Sequence, residues 1–292
     1  MAEIRGTTWD DFDAAVDLLD VRSRAAFGIS DVEPEHVRRR WRLPGVDLAA
    51  DSWVALDDGR LVGHALLEST QHLGVAAFDA KTGFALLARA EARARERGFD
   101  RLTVTTVAQD DPVHALVQCG GFDLTREILR MWRPLDGEPA EERRVAGVSV
   151  RTYRAADGED VHALLDEAYA GWDGDYVARD HRDWLAFMTA HEDFDPDLWF
   201  LAERGGETVG CALHWRERDR RGWVKDLAVR AAERGLGIGK ALLHEAFRTY
   251  VKRNATHVGL KVDTTNPTGA RQLYERVGFA TDQRYEVWVK GL

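Results

Sequence analysis

The chain has 292 residues, room for one large domain or two ordinary ones, and either half is long enough to bury a core of its own. With 40 Lys and Arg against 50 Asp and Glu, the formal net charge of −10 excludes the broad basic surface that nucleic-acid binding needs. No apolar run approaches the ~18 residues of a membrane span, and Met1-Ala2-Glu3-Ile4-Arg5 lacks the apolar core of a signal peptide. Cys119 and Cys211 stand far apart, without metal-ligand spacing, as expected of a reducing compartment and not of a disulfide framework. A cytoplasmic location follows, with no nucleic acid, membrane or metal as partner; His181, His191 and His214 share no ligand spacing.

In chain order, Ile4-Arg5 opens a strand, and a helical stripe closes in Leu18-Leu19-Asp20. The stretch Ser52-Trp53-Val54-Ala55-Leu56 runs through Asp57-Asp58-Gly59 into Leu61-Val62-Gly63-His64-Ala65-Leu66, a hairpin. Leu73 to Phe84 leads into a helix carrying Leu86, Leu87 and Ala90, and Gly121-Phe122 closes this part. Leu135 to Arg144 is polar, contains Gly137 and Pro139, and reads as a linker. The expected division is therefore 1–136, a linker at 137–147, and 148–292.

The second part repeats the first. Val150-Arg151 and a stripe ending in Leu164-Leu165-Asp166 follow Arg5 and Leu18 at a spacing of 146 residues. Trp199 to Glu203 turns through Arg204-Gly205-Gly206 into Thr208-Val209-Gly210-Cys211-Ala212-Leu213, with Gly210 lying 147 residues after Gly63. Val224 to Val229 is a strand, Ile238, Ala241, Leu242 and Ala246 mark a helix starting near Gly237, and Val258 to Val262 is the next strand. Ala270, Leu273, Tyr274 and Val277 share one helical face, and Gly278 supplies the left-handed terminating position before Phe279. Near-constant spacings of this kind indicate a duplicated α/β domain, each copy a mixed, mostly antiparallel sheet covered by helices.

The most informative segment is Leu227-Ala228-Val229-Arg230-Ala231-Ala232-Glu233-Arg234-Gly235-Leu236-Gly237-Ile238-Gly239-Lys240. A strand ends, and alternating glycines open a helix whose first amides have no internal partners and carry the positive end of the helix dipole. Such a turn cradles a phosphate or diphosphate. A Walker loop is excluded because Arg234 and Ala241 occupy its Gly and Ser/Thr positions, and strictly alternating glycines exclude the dinucleotide fingerprint. Arg234 at the mouth suits a diphosphate.

Here the sequence resembles the GNAT acetyltransferase superfamily. Its cofactor signature, Arg/Gln-x-x-Gly-x-Gly/Ala after a Leu-x-Val-like strand end, is matched by Arg234-Gly235-Leu236-Gly237-Ile238-Gly239 after Leu227-Ala228-Val229. The later run of Asn266, Ala270, Arg271, Tyr274 and Gly278-Phe279 resembles the second signature. The resemblance implies two tandem GNAT-like domains and acetyl-CoA as co-substrate. Main-chain groups of Leu227 and Val229 would meet the pantetheine arm, and amides from Gly235 through Lys240 would hold the diphosphate. Asn266 and Arg271 would contact the cofactor, and Tyr274 would protonate the departing sulfur. Read without the resemblance, Asn266-Pro267 is also an N-cap with Pro at N1, and Tyr274 also a core tyrosine. The two strand positions where many GNAT enzymes place a glutamate carry Trp223 or Lys225, and Lys261. Asp226 is the nearest carboxylate for a general base, with Glu217 and Asp263 behind it; it also suits a structural pair with Lys225 or Arg230.

The first part keeps the scaffold and lacks the chemistry: no glycine signature precedes the Leu86 helix, and Val117 stands where Tyr274 stands in the second. It is expected neither to catalyse nor to bind coenzyme A, and to close one wall of the acceptor pocket. The tandem layout is similar to that of the mycothiol synthase family, in architecture and cofactor motifs. Tyr169-Ala170-Gly171-Trp172-Asp173-Gly174-Asp175-Tyr176 offers aromatics and carboxylates to a polar amine, or forms a surface loop with two anchors. The expected activity is direct N-acetylation of a small-molecule amine. A non-catalytic acetyl-CoA sensor and a protein N-acetyltransferase are the alternatives. Duplication satisfies the fold's pairing surface internally, which favours a monomer.

Overall fold

A computed structural model describes residues 2–28, 30, 32–107, 109–136, 145–170, 179–217 and 220–292, the side chains of 111 and 217 apart. Two compact units form. One runs to Ile128 and includes Arg284–Leu292; the other is Leu129–Gln283.

The first unit contains, in order, β1 (Glu3–Gly6), α1 (Phe12–Phe27), α2 (Pro34–Trp41), α3 (Leu48–Asp51), β2 (Ser52–Asp57), β3 (Arg60–Leu67), β4 (Leu73–Ala77), α4 (Ala80–Glu96), β5 (Arg101–Thr106) and α5 (Asp111–Cys119). Strand β6 (Asp123–Pro134) begins here and ends in the second unit. The second unit continues with β7 (Val148–Thr152), α6 (Gly158–Tyr169), α7 (His181–Thr189), β8 (Trp199–Arg204), β9 (Glu207–Glu217), β10 (Arg221–Val229), α8 (Ile238–Lys252), β11 (His257–Asp263) and α9 (Ala270–Arg276). Strand β12 (Ala280–Gly291) begins here and ends in the first unit.

In the first unit β1, β2, β3 and β4 lie side by side, and Glu286–Gly291 of β12 pairs antiparallel with β5. In the second unit β7, β8, β9 and β10 form an antiparallel run. β10 and β11 are parallel neighbours, and β11 is flanked on its other side by β6. Each unit is thus completed by a segment that chain order alone would give to its neighbour. Val287 and Trp288 are buried there, Trp288 against Leu102, Val104 and Val117.

Helices cover both faces of the second unit's sheet. Leu242, Leu243, Phe247 and Tyr250 of α8 pack with Val258, Leu260 and Tyr274 on one face. On the other, Val161, Leu164 and Leu165 of α6 and Trp184 of α7 pack with Trp199, Leu201, Cys211 and Leu213. Burying such side chains supplies about 1.5–3 kcal/mol each against the entropy of ordering them.

The repeat is visible at the level of single bonds. Arg5 clasps Asp11 with two hydrogen bonds of 2.8 and 2.6 Å, and Arg151 clasps Asp157 at 2.7 and 2.9 Å. The β2–β3 hairpin turns through Asp58 and Gly59 (φ 47° and 77°) and the β8–β9 hairpin through Gly205 and Gly206 (61° and 88°). Two positive φ values in succession match the right-handed twist of the flanking strands. A Cβ on Gly63 would lie 2.8 Å from Thr82 Cγ2 of α4, and one on Gly210 would lie 3.2 Å from Ile238 Cγ2 of α8. Equivalent glycines let equivalent helices close on equivalent strands.

Candidate active site

Strands β10 and β11 pair only through Arg221–His257, Gly222–Val258 and Trp223–Gly259. Beyond those residues the ladder stops, so the backbone of Leu227 and Val229 has a strand partner on the β9 side only. The cause lies in β10 itself. Its register with β9 shifts between Val224 and Asp226, leaving Lys225 as the extra residue of a bulge. Trp223 faces Trp215 across the ladder and Asp226 faces Leu213. Since Leu213 and Trp215 are two apart, the bulge puts Asp226 on the Trp223 face, the one packed by α6. Without it, the alternation of a strand would turn Asp226 towards α8.

The loop after β10 ends in a helix without a cap. Gly237 is the N-cap of α8, in the left-handed region at φ 91°, and has no side chain to offer the first amides. Gly235 is also left-handed, at φ 79°, and a Cβ there would meet nothing within 4 Å. The corresponding Cβ on Gly237 would meet only Val145 Cγ2, at 3.7 Å. The third glycine serves packing: a Cβ on Gly239 would lie 3.1 Å from Leu273 Cδ2 of α9. No side chain caps the first turn of α8, and the space beside Gly235 and Gly237 is open, at the positive end of a 15-residue helix. Arg234 is exposed, and its Nε donates to the Val229 carbonyl at 3.0 Å, folding the loop back on the strand end.

Tyr274 is buried in α9, its ring edge-on to Phe279 at 5.7 Å. Among the described residues its hydroxyl has no hydrogen-bond partner. Burial raises its pKa far above the usual phenol range, and the negative charge of Asp226 adds to the rise. Asp226 holds two donors: the Tyr169 hydroxyl at 3.2 Å on Oδ1 and Lys225 Nζ at 3.4 Å on Oδ2. The same charge, after burial, raises the pKa of Tyr169 and of the fully buried Cys211. Asp226 and Tyr274 are thereby brought into one electrostatic neighbourhood from elements 48 residues apart in sequence.

Other candidates are placed differently. Of the two partners suggested for Asp226, Lys225 is engaged, while Arg230 Nε donates to the Thr208 carbonyl at 3.0 Å. Asp263 is buried and accepts from Thr265 N and Oγ1 at 2.8 and 2.7 Å, a turn-forming role. Asn266 is not the N-cap of α9. Gly269 occupies that position at φ 73°, and Asn266 Oδ1 accepts from Thr268 N and Oγ1 at 2.9 and 2.6 Å, closing a turn before the helix. Arg271 reaches along its own helix to Glu275 at 2.8 Å. The Glu217 side chain, the linker residues 137–144 and the aromatic segment Gly171–Tyr176 lie outside the described residues.

A model of the acetyltransferase (GNAT) family matches residues 159–279. The mycothiol acetyltransferase of Streptomyces coelicolor is 32% identical over 263 residues, covering 85% of this chain and 82% of that one. The chain belongs to the GNAT acetyltransferase family. It is an N-acetyltransferase, in a family whose acyl donor is acetyl-CoA. A GCN5-related N-acetyltransferase from Sphaerobacter thermophilus superposes with a TM-score of 0.82 at 26% identity, covering 99% of this chain and 95% of that one. A tandem GNAT protein of the clavulanic acid biosynthesis pathway shares the fold, with a TM-score of 0.73 at 19% identity and coverage of 100% and 98%.

Within this GNAT chain, the first unit's counterpart of the site is filled by its own side chains. Gly63 pairs with Ala77 as Gly210 pairs with Val229, so Gly74 stands where Asp226 stands. A Cβ on Gly74 would lie 2.8 Å from Arg40 Nη2, whose guanidinium is bound to Glu68. β3 and β4 pair without a register shift. Helix α4 follows after two residues and is capped by Asp79, whose carboxylate accepts from Thr82 N at 2.9 Å and Thr82 Oγ1 at 2.8 Å. Val117 is fully buried and offers no hydroxyl. The missing glycines are plain in the sequence; the Asp79 cap is less so, because Asp is a common N-cap but Thr82, not Glu or Gln, stands three residues on. The Tyr169–Asp226 bond is hidden for a different reason: 57 residues separate the pair, and no spacing rule joins them.

The described residues contain no group of His, Cys, Asp and Glu arranged to hold a metal ion. None of their helices is long and apolar enough to cross a membrane.

Proposed function

We propose that the second unit binds acetyl-CoA at the uncapped end of α8 and passes its acetyl group directly to the amine of a small molecule, both reactants being held at once. The observation that carries this reading is the pairing of a bare, left-handed glycine loop with a strand splay that leads to Asp226 and Tyr274. In this reading the amides of Gly235, Leu236, Gly237, Ile238, Gly239 and Lys240 hold the diphosphate. Arg234 adds its remaining guanidinium donors, and Leu227 and Val229 offer backbone groups on the side that β11 leaves free. Asn266 and Arg271 flank the same end of α9.

Bound there, acetyl-CoA supplies an activated acetyl thioester. Asp226 accepts the proton of the incoming amine while Tyr169 and Lys225 hold its two oxygens. Tyr274 retains its proton at every physiological pH, since burial and the Asp226 charge both oppose its loss, and gives it to the departing sulfur. Fixing both reactants beside these groups removes much of the entropic barrier. The first unit takes no part in the chemistry: its helix end is closed by Asp79 and the Asp226 position by Arg40.

The test is Tyr274→Phe, assayed by coenzyme A release against a panel of amino sugars, amino-acid amides, arylalkylamines and polyamines. We expect kcat to fall by about a hundredfold or more with the coenzyme A affinity unchanged. Unaltered turnover would overturn the assignment of the acid. Intersecting double-reciprocal plots are expected for direct transfer; parallel plots contradict it.

A further inference from the structure

We propose that Tyr169 is a positioning residue for catalysis, fixing the Asp226 carboxylate in the orientation from which it takes the acceptor's proton. The inference rests on the reading of Asp226 as the base and adds a residue that no motif identifies. Three observations meet at this point. Tyr169 is the last residue of α6 and is packed against the cluster that contains Val161, Leu164 and Leu165, so its ring is anchored by a helix. Its hydroxyl donates to Asp226 Oδ1 at 3.2 Å, while Lys225 Nζ reaches Oδ2 at 3.4 Å. Lys225 is the bulge residue of β10, and its ammonium also lies 5.6 Å from the centroid of the Trp215 ring.

A carboxylate on a strand can rotate about two side-chain bonds. One donor on each oxygen, from a helix on one side and from the bulge on the other, fixes the plane of the group. A carboxylate offers about four lone-pair sites, so two donors leave acceptor sites for the incoming amine. A 1 Å misplacement of a reacting group costs on the order of a hundredfold in rate, so a single hydroxyl that prevents rotation affects kcat and not cofactor affinity. Tyr169 touches neither the thioester nor the acceptor in this account; it acts through Asp226.

The test is a double-mutant cycle with Tyr169→Phe and Asp226→Asn in the full chain. The reaction read is the panel amine with the highest kcat/KM, or acetyl-CoA hydrolysis by water should no amine exceed it. Tyr169→Phe is expected to lower kcat about tenfold with KM for acetyl-CoA and the thermal midpoint unchanged, and to change turnover less than twofold once Asp226 is Asn. The same tenfold loss in both backgrounds would assign Tyr169 a packing role and overturn the proposal. So would wild-type turnover of Tyr169→Phe alone while Asp226→Asn is impaired, which leaves the base in place. Full activity of Asp226→Asn would remove the base and this inference together. A readout independent of any acceptor is alkaline tyrosine absorbance in a chain carrying Tyr274→Phe. There the Tyr169 contribution, identified by its loss in Tyr169→Phe, should move to lower pH in Asp226→Asn, since the Asp226 charge holds the Tyr169 proton on; an unmoved Tyr169 midpoint contradicts the contact.

Discussion

Helices α4 and α8 arise from equivalent places in a duplicated fold, and they end in opposite ways. Both follow the strand after a matched hairpin, β4 or β10, and both are let onto the sheet by a glycine, Gly63 or Gly210. At α4 the chain spends two residues and puts a carboxylate, Asp79, on the first amides. At α8 it spends eight residues and puts nothing there but Gly237. An N-terminal helix end attracts negative charge in either case. What differs is whether the charge belongs to the chain or must arrive with a ligand. In the first unit the chain satisfies itself: Asp79 caps the first amides of α4, and Arg40 with Glu68 fills the place that Asp226 has in the second.

The largest effect is expected from breaking the open end. Gly237→Val places a β-branched side chain at φ 91°, where L-residues are strained, and a methyl pair in the open space where the proposal puts the diphosphate. Coenzyme A affinity by calorimetry should fall at least about a hundredfold, or about 2.7 kcal/mol. Affinity like that of the unaltered chain would remove the loop from the account.

A second comparison concerns the histidines buried in the two units. His64, on β3, is held by Ser52 Oγ at 3.1 Å and pushed down to about 4, chiefly by burial. His214, on β9, is fully buried, and among the described residues neither ring nitrogen has a partner; burial pushes it down to about 3. An unfolded histidine titrates near 6.5. Below that pH the unfolded chain takes up a proton that the folded chain refuses. Stability is therefore complete above about pH 6.5 and is lost as pH falls towards 3, by about 2 kcal/mol per histidine at pH 5. His214→Met should remove its share of this slope in denaturant titrations at pH 5 and 7, because Met does not titrate and, among the described residues, no hydrogen bond is given up. An unchanged slope would mean that the ring is accommodated as a cation.

The smallest effect sharpens the first comparison. Asp79→Ala should cost about 1 kcal/mol of stability by denaturation, the usual value of an N-cap. It should not create a second coenzyme A site, because α4 still lacks the long glycine loop and β3–β4 the bulge. Appearance of a second site by calorimetry would show that the cap alone silences the first unit.

Much of this was legible in the chain. Hairpin turns, the start of α8 at Gly237, the αL stop at Gly278 and the duplication are set by local backbone preferences, which neighbouring residues encode. The exchange of β6 and β12 between units was not legible, because alternation tells a strand which face to bury and says nothing of which strand lies beside it. The bulge at Lys225 left a faint trace, since Val-Lys-Asp-Leu sets two charged residues side by side and breaks the alternation of a strand, but only the partner strand shows which residue is the extra one. Asn266 shows the remaining limit. Asn-Pro is as good a turn as an N-cap, and Gly269, three residues on, decided the start of α9.

The most direct test is a structure of the chain with acetyl-CoA bound. The account predicts one molecule per chain, its diphosphate within hydrogen-bond distance of the amides at the start of α8 and its sulfur beside the Tyr274 hydroxyl. Density for the nucleotide at the Asp79 end of α4, or a sulfur remote from Tyr274, would contradict it.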